Sequence, residues 1–273
     1  MAARLRLLLA LGIPCAAALA GGQPGSGLTA AAGSLTLSRI ASIQAPASMS
    51  AAELEGWRKA AERGEVAAQT QMGSMYYLGE GVAPDVREAL GWYRKAAAQG
   101  DPKAQTLLGL MHEDGEGVAR DAGEAARWFR LAADRGDAEA QTRLAEHYYQ
   151  GEGVARDPAE ARRWFRLAAL QGSAPAQAKL GAMCYLGEGT ARDTVEAMKW
   201  FRLAAAQGDA SAEGCLGLMY AMGDGVPADL VEAYGWLLRA RDGGDPQAGR
   251  TLETVERALT PAQIEAGRLR AAK

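Results

Sequence analysis

Small and apolar residues fall at Ala68, Met72, Gly73 and Tyr76, and again at Ala89, Trp92, Tyr93, Ala96 and Ala97. The first set recurs at i, i+4, i+5 and i+8 and the second at i, i+3, i+4, i+7 and i+8, so each lies along one face of a helix. Between them runs a polar stretch with two glycines, Gly79 and Gly81, and with Asp85 followed three residues later by Glu88. The pattern predicts a helix A of about 12 residues ending at Gly79, where a residue without Cβ takes the left-handed conformation. It then predicts a turn and a helix B opened by an Asp–Glu capping box and stopped at Gly100. Asp101 is placed to cap the next helix A. The same block returns through residues 67–246 without insertion or deletion, carrying Trp92, Trp128, Trp164, Trp200 and Trp236 at intervals of 36 residues. A period of that size marks a stacked array, because one helix pair cannot cover its own apolar face and must lend it to a neighbour.

The flanks read differently. Residues 1–20, MAARLRLLLALGIPCAAALA, have Arg4 and Arg6 ahead of a short apolar run and then Ala18-Leu19-Ala20, the three-part form of a secretory signal peptide. The run is short for a membrane span, which needs about 20 apolar residues. Localisation is therefore expected to be periplasmic or secreted. A mitochondrial transit peptide is the alternative, because no Asp or Glu precedes Glu53. Residues 21–49 are Gly-, Ala-, Ser- and Pro-rich without aromatics, a flexible linker. Ser50 and Glu53 form a capping box before Leu54 and Trp57, so residues 50–66 are read as an N-terminal capping helix. Thr260, Pro261 and Gln263 start another helix in residues 247–273, read as C-terminal capping helices.

The run AQTQMGSMYYLGEGVAPDVREALGWYRKAAAQGD and its four successors resemble the Sel-one-like repeat family, a branch of the tetratricopeptide-like helical solenoids. Met72, Thr190 and Cys184 depart from the family's Leu, Val and Tyr. The resemblance covers about two thirds of the chain. It implies an all-α fold, an α/α right-handed superhelical solenoid of 36-residue helix-turn-helix repeats. It also implies an adaptor for protein complexes, often in envelope or secretory-pathway signalling, and it implies no reaction. Cysteine-rich relatives are associated with penicillin binding and weak β-lactamase activity, but this chain lacks their cysteine framework.

Chemistry-bearing residues are sparse. Besides Cys15 the cysteines are Cys184 and Cys215, which sit five helical positions out of step in successive units, a rise of about 7.5 Å. Free thiols are expected, because a bridge needs Cα atoms within about 7 Å. His112 and His147 are the only histidines. They occupy positions held elsewhere by Tyr, Cys or Met, so packing is expected rather than metal ligation. No nucleophile–base set can be assembled, and the Gly-x-Gly turns follow helices instead of strands, which excludes the dinucleotide fingerprint. Neither a cofactor, a metal nor a catalytic residue is expected. The net charge of −3 argues against a nucleic-acid partner.

Two periodic features remain. Arg94, Arg130, Arg166 and Arg202, with Arg127, Arg163 and Lys199 one turn earlier, make a basic ladder along helix B, read as a solvated face paired with Glu. On helix A, positions vary among units along one face: Gln71, Leu107, Arg143, Lys179 and Cys215 in one row, and Tyr77, Glu113, Tyr149, Tyr185 and Ala221 in another. By the resemblance, helix A lines a concave groove. Tyr77, Glu113, Arg143, Tyr149, Lys179 and Tyr185 are accordingly the candidate partner-binding residues, with the tyrosines expected to be exposed and free of packing tasks. The function expected is a non-catalytic adaptor that binds a protein or peptide in the envelope. The alternatives are a weak cell-wall-directed hydrolase of the β-lactamase-like type and an anionic polysaccharide-binding module.

Overall fold

The computed structural model describes residues 49–272. Residues 1–20, read above as a signal peptide, and all but the last residue of 21–49, read as a linker, lie outside the described residues. Thirteen helices and no strand occur among the described residues. They divide between two compact units.

The first unit, residues 49–157, holds α1 (Ala51–Glu62), α2 (Val66–Leu78), α3 (Val86–Ala98), α4 (Pro102–Asp114), α5 (Ala122–Ala133) and α6 (Ala138–Gln150). Each packs against the next. The second unit, residues 158–272, holds α7 (Pro158–Leu170), α8 (Ala174–Leu186), α9 (Thr194–Ala205), α10 (Ala210–Met222), α11 (Leu230–Asp242), α12 (Ala248–Glu256) and α13 (Pro261–Ala271). Consecutive packing runs from α7 to α12, and α13 returns to cover α11.

Helices end where the glycines are. Gly79, Gly115, Gly151, Gly187 and Gly223 have φ between 73° and 78°, the conformation that lets each amide donate to the carbonyl four residues back. The middle of each pair depends on a second glycine. In α4, a Cβ at Gly109 would lie 2.5 Å from the Phe129 ring of α5, so helix A can seat the buried aromatic of helix B only where it has no side chain. Tyr93, Phe129, Phe165 and Phe201, one from each of the first four helix B segments, are the largest fully buried side chains.

Helix B starts differ from the expected capping box. Asp85, Asp121 and Asp229 accept from two amides each, and Asp193 from one, but the reciprocal bond from the glutamate is absent at all four. The reason is that the aspartate amide is already satisfied: it donates nine residues back, Asp85 to the Tyr76 carbonyl at 2.8 Å and Asp121 to the His112 carbonyl at 2.9 Å. The glutamates are thereby released to other partners, Glu124 to Arg127 at 2.5 Å and Glu232 to the Trp236 indole at 2.9 Å. Complete boxes occur at Ser50–Glu53 and Thr260–Gln263, whose amides have no such carbonyl to reach.

A buried glutamine carries the handover between repeats. The Gln69, Gln105, Gln141 and Gln177 amides donate to the carbonyls of Ala61, Ala97, Ala133 and Ala169 at 3.1 to 3.2 Å, closing a backbone acceptor at the end of the preceding helix B. The fifth repeat has Glu213 instead, which cannot donate and pairs with Arg239 at 2.6 Å. After it, Arg270 of α13 reaches Asp229 at 3.0 Å and Glu232 at 2.9 Å.

Candidate functional site

The tyrosines proposed as exposed anchors are buried. Tyr77, Tyr149 and Tyr185 are 8%, 9% and 6% exposed. In two of them the hydroxyl donates to an acid in the glycine turn of the following repeat: Tyr77 to Glu116, and Tyr185 to Asp224 at 2.9 Å. Burial, then the carboxylate partner, pushes the Tyr185 phenol up to about 12 and moves Tyr77 in the same direction. In these two turns the residue between the glycines is therefore an acceptor for a ring one repeat earlier. Arg156 and Arg192 finish the arrangement. Each lies over a tyrosine ring, 5.7 Å from Tyr149 and 5.0 Å from Tyr185, and donates to that tyrosine's carbonyl at 3.0 Å. The variable face as a whole is less open than its variability implies, since Leu107, Cys215 and Ala221 are also buried.

The three charged candidates stand apart from the tyrosines. Lys179 is half-buried on α8. Glu113 of α4 and Arg143 of α6 meet at 3.7 Å in the first unit, each about one fifth exposed. Glu146 lies 3.5 Å from Arg143. His147, 2% exposed, donates from Nδ1 to the Glu152 carbonyl at 2.7 Å and turns Nε2 toward Glu113 at 3.8 Å, its ring 5.6 Å from Phe129. Burial raises the Glu113 carboxyl above its ordinary range, against the opposing pull of Arg143 and His147. Burial tends to lower Arg143, but Glu146 and Glu113 prevail and raise it. None of this follows from the repeat pattern. At the positions of Glu113, Arg143, Glu146 and His147, the first unit of the array has Tyr77, Gln71, Ser74 and Met75, and the fourth has Tyr185, Lys179, Ala182 and Met183.

The basic ladder is largely engaged. Arg127 and Arg163 pair with Glu124 and Glu160, and Arg166 with Glu196 at 3.6 Å. Arg58, Arg130 and Arg202 bond the hydroxyls of Tyr76, Tyr148 and Tyr220, the last at 2.7 Å. These Arg–Tyr pairs, 18 residues or half a period apart, join helix B to the next helix A. The spacing was available in the sequence, but only a comparison across half-periods brings it out.

His112 is half-buried, and its Nδ1 is buried without a hydrogen-bond partner. No group of three or more His, Cys, Asp or Glu side chains that could hold a metal occurs among the described residues. Cys184 is a buried free thiol, pushed up to about 11 by burial and then by Glu196, with Arg162 opposing. The expectation of free thiols is met at Cys184 but not at Cys215, a buried residue of α10. Cys184 and Cys215, five helical positions out of step, are not bridged to each other, since Cys184 is free.

An all-helical array with left-handed glycine turns and inter-repeat staples defines the class of helical repeat solenoids. The Sel1 repeat model matches residues 66–101, 102–137, 138–173, 174–209 and 216–245, and the chain belongs to that family. A protective antigen of uropathogenic Escherichia coli strains displaying an SLR fold is 34% identical, with a TM-score of 0.73 over 80% of this chain and 48% of its own. The chain thus spans about half the length of that antigen. A Sel1 repeat protein from Oxalobacter formigenes is 32% identical, with a TM-score of 0.68 over 77% of this chain and 88% of its own. No curated protein matches the chain. No helix among the described residues is long and apolar enough to cross a membrane.

Proposed function

We propose that this chain is a non-catalytic, exported adaptor of the cell envelope that binds a protein or peptide partner through the helix A faces of its repeats. The observation that carries the reading is the cluster of Glu113, Arg143, Glu146 and His147. Four titratable side chains replace residues that are neutral in the first array unit, and the replacement leaves a carboxylate partly desolvated. The repeat can be built without them, so a task other than stacking accounts for them. A partly dehydrated ion pair is also a recognised kind of specificity element at interfaces, because its desolvation has largely been met before the partner arrives. The family supports the same reading, since Sel1 repeats generally mediate protein interactions. Lys179 is assigned the corresponding role on the second unit. Tyr77, Tyr149 and Tyr185 contribute rigidity beneath the face and little direct contact.

The test begins with a partner captured by the tagged chain from envelope extract and then purified. Arg143→Ala and Lys179→Ala are titrated against it beside Arg94→Ala and Arg166→Ala on helix B. Weakening confined to the helix A variants supports the face. Weakening confined to the helix B variants refutes it and favours the ladder. Export is checked separately by the intact mass of the envelope-fraction protein, expected to lack residues 1–20.

A further inference from the structure

His147 stands where the other four units have Met75, Met111, Met183 and Met219, all of them buried. Packing at this position takes an apolar side chain, and the imidazole is buried there just as deeply. Its tautomer is fixed by one bond. The Glu152 carbonyl, 2.7 Å from Nδ1, can only accept, so Nδ1 carries a hydrogen and donates it. In the neutral ring Nε2 is then an acceptor. That atom is buried without a hydrogen-bond partner, and it faces Glu113 Oε1 at 3.8 Å. Two acceptors therefore point at each other beside the Phe129 ring. A water donating to both would hold them roughly 4.5 Å apart, so the gap is too short for one. A single proton satisfies both atoms after a closure of about 1 Å, either as N–H donating to the carboxylate or as the carboxyl O–H donating to the ring.

Arg143 is shared across the same gap. It stands 3.7 Å from the Glu113 oxygen that faces His147 and 3.5 Å from Glu146, one turn along its own helix. Burial raises the Glu113 carboxyl, Arg143 and His147 pull it down, and Glu146 and Asp114 push it up again. The acids that act on Arg143 are Glu146, Glu113, Glu139 and Asp114. From α5 comes the uncharged Phe129 ring, and from the glycine turn the Glu152 carbonyl. Without a proton on the Glu113–His147 pair, the two carboxylates of the cluster meet one guanidinium and the cluster is net negative. With one bound it is neutral, and Glu113 no longer needs the guanidinium. We propose that Glu113 and His147 are a proton-operated element of the helix A face: the pair takes up one proton as the pH falls, and Arg143 then passes from Glu113 to Glu146. The step changes both the charge of the face and the direction of its arginine. It regulates binding in so far as this face is the partner-binding one, the reading on which that consequence rests.

The proton is tested without a partner. The full chain is labelled with nitrogen-15 in histidine and arginine, and its NMR spectrum is followed from pH 8 down to pH 4.5. His112 and His147 are the only histidines, and His147→Met, which installs the residue of the sister units, assigns the signals. Nε2 of His147 should pass in a single step from the shift of a free acceptor to that of a proton-sharing nitrogen, while Nδ1 stays protonated throughout. The Arg143 Nε signal should move with the same midpoint, and His147→Met should abolish that movement. Glu113→Gln removes the carboxylate and offers Nε2 an amide donor, so the step should fall by about one pH unit or more. An Nε2 that keeps one state over the whole range, an Arg143 signal indifferent to the step, or an unchanged midpoint in Glu113→Gln overturns the proposal. The partner captured for the helix A test is then titrated on both sides of the step. A change in its affinity of about threefold or more, lost in His147→Met, supports the regulatory consequence. Flat affinity beside an intact step counts against the helix A face and leaves the proton element standing, so the two failures are distinguishable.

Discussion

Replacing Tyr185 by phenylalanine removes one hydroxyl and leaves a ring that is 6% exposed where it was. The lost bond is the 2.9 Å contact to Asp224, an acceptor that keeps Arg192 at 2.6 Å and is itself 27% exposed. Hydrogen bonds to charged groups contribute about 1.5 to 3 kcal/mol. Because Asp224 retains the guanidinium and some water, the lower end is discounted to about 1 kcal/mol. Tyr185→Ala also empties the ring site and should cost about 3 to 5 kcal/mol in total. The assay is urea unfolding followed by helical dichroism, with the midpoint rather than an extrapolated free energy as the readout, since repeat arrays depart from two-state behaviour. A pH series adds a sign. The phenol sits at about 12 in the folded chain, above its ordinary value of 10.0, so its contribution is complete below pH 10 and is lost as pH rises toward 12. The Phe variant should therefore converge on the parent in alkali. If the Phe variant equals the parent at neutral pH and the Ala variant loses less than about 1 kcal/mol, the ring is no staple, and the exposed-anchor reading regains its footing.

Gly91→Ala meets nothing within 4 Å and should stabilise by up to about 1 kcal/mol through helix propensity, whereas Gly109→Ala drives a Cβ into Phe129 and should destabilise by about 1 kcal/mol after that gain is offset. Equal effects of the two, by thermal melting, would refute the seating of the aromatic on a bare backbone. Cys184, pushed up to about 11 and fully buried, should resist maleimide at pH 7.5 in the native chain and react in denaturant, as peptide mapping after labelling would record. Labelling of Cys184 in the native chain would contradict the packing. Burial raises Glu113 above its ordinary 4.5, so its folded form favours the proton and its contribution is lost as pH rises past that value. Glu113→Gln should gain on the parent between pH 4 and pH 7 in urea midpoint, and a gain by the parent instead would show that Arg143 outweighs the burial.

The helices, their glycine ends and the aromatic seats were legible because each depends on residues within one period, which five copies repeat. What the sequence did not yield are bonds between periods. Tyr185 and Asp224 stand 39 residues apart, and Arg202 and Tyr220 stand 18 apart. Reading variability at Tyr77, Tyr149 and Tyr185 as exposure failed for a physical reason: a side chain is free to change when its partner across the joint changes too. Glu113 illustrates it. It stands at the tyrosine position without a hydroxyl, and the turn it would have met gives its Glu152 carbonyl to His147 instead. The capping boxes were overread because a glutamate three residues on looks the same whether the aspartate amide is satisfied locally or, as here, by a carbonyl nine residues back.

The glutamine at each joint sets a rule for how the array can change in length. Asp101 and Asp137 cap successive helices through the same amide position, and Gln105 and Gln141 bond carbonyls at the same place in the helix before. Excision of residues 102–137 would leave Asp101 to cap the helix of Gln141 and would set that amide against the Ala97 carbonyl, with each donor finding an acceptor of the same kind. Excision of one residue from α4 would rotate everything beyond it by about 100° and strand the whole set. Losing a complete module is therefore the milder genetic accident, and gaining one is equally easy anywhere up to the fourth repeat. The fifth repeat departs from the rule, because Glu213 has no amide to donate and turns instead to Arg239 of its own repeat.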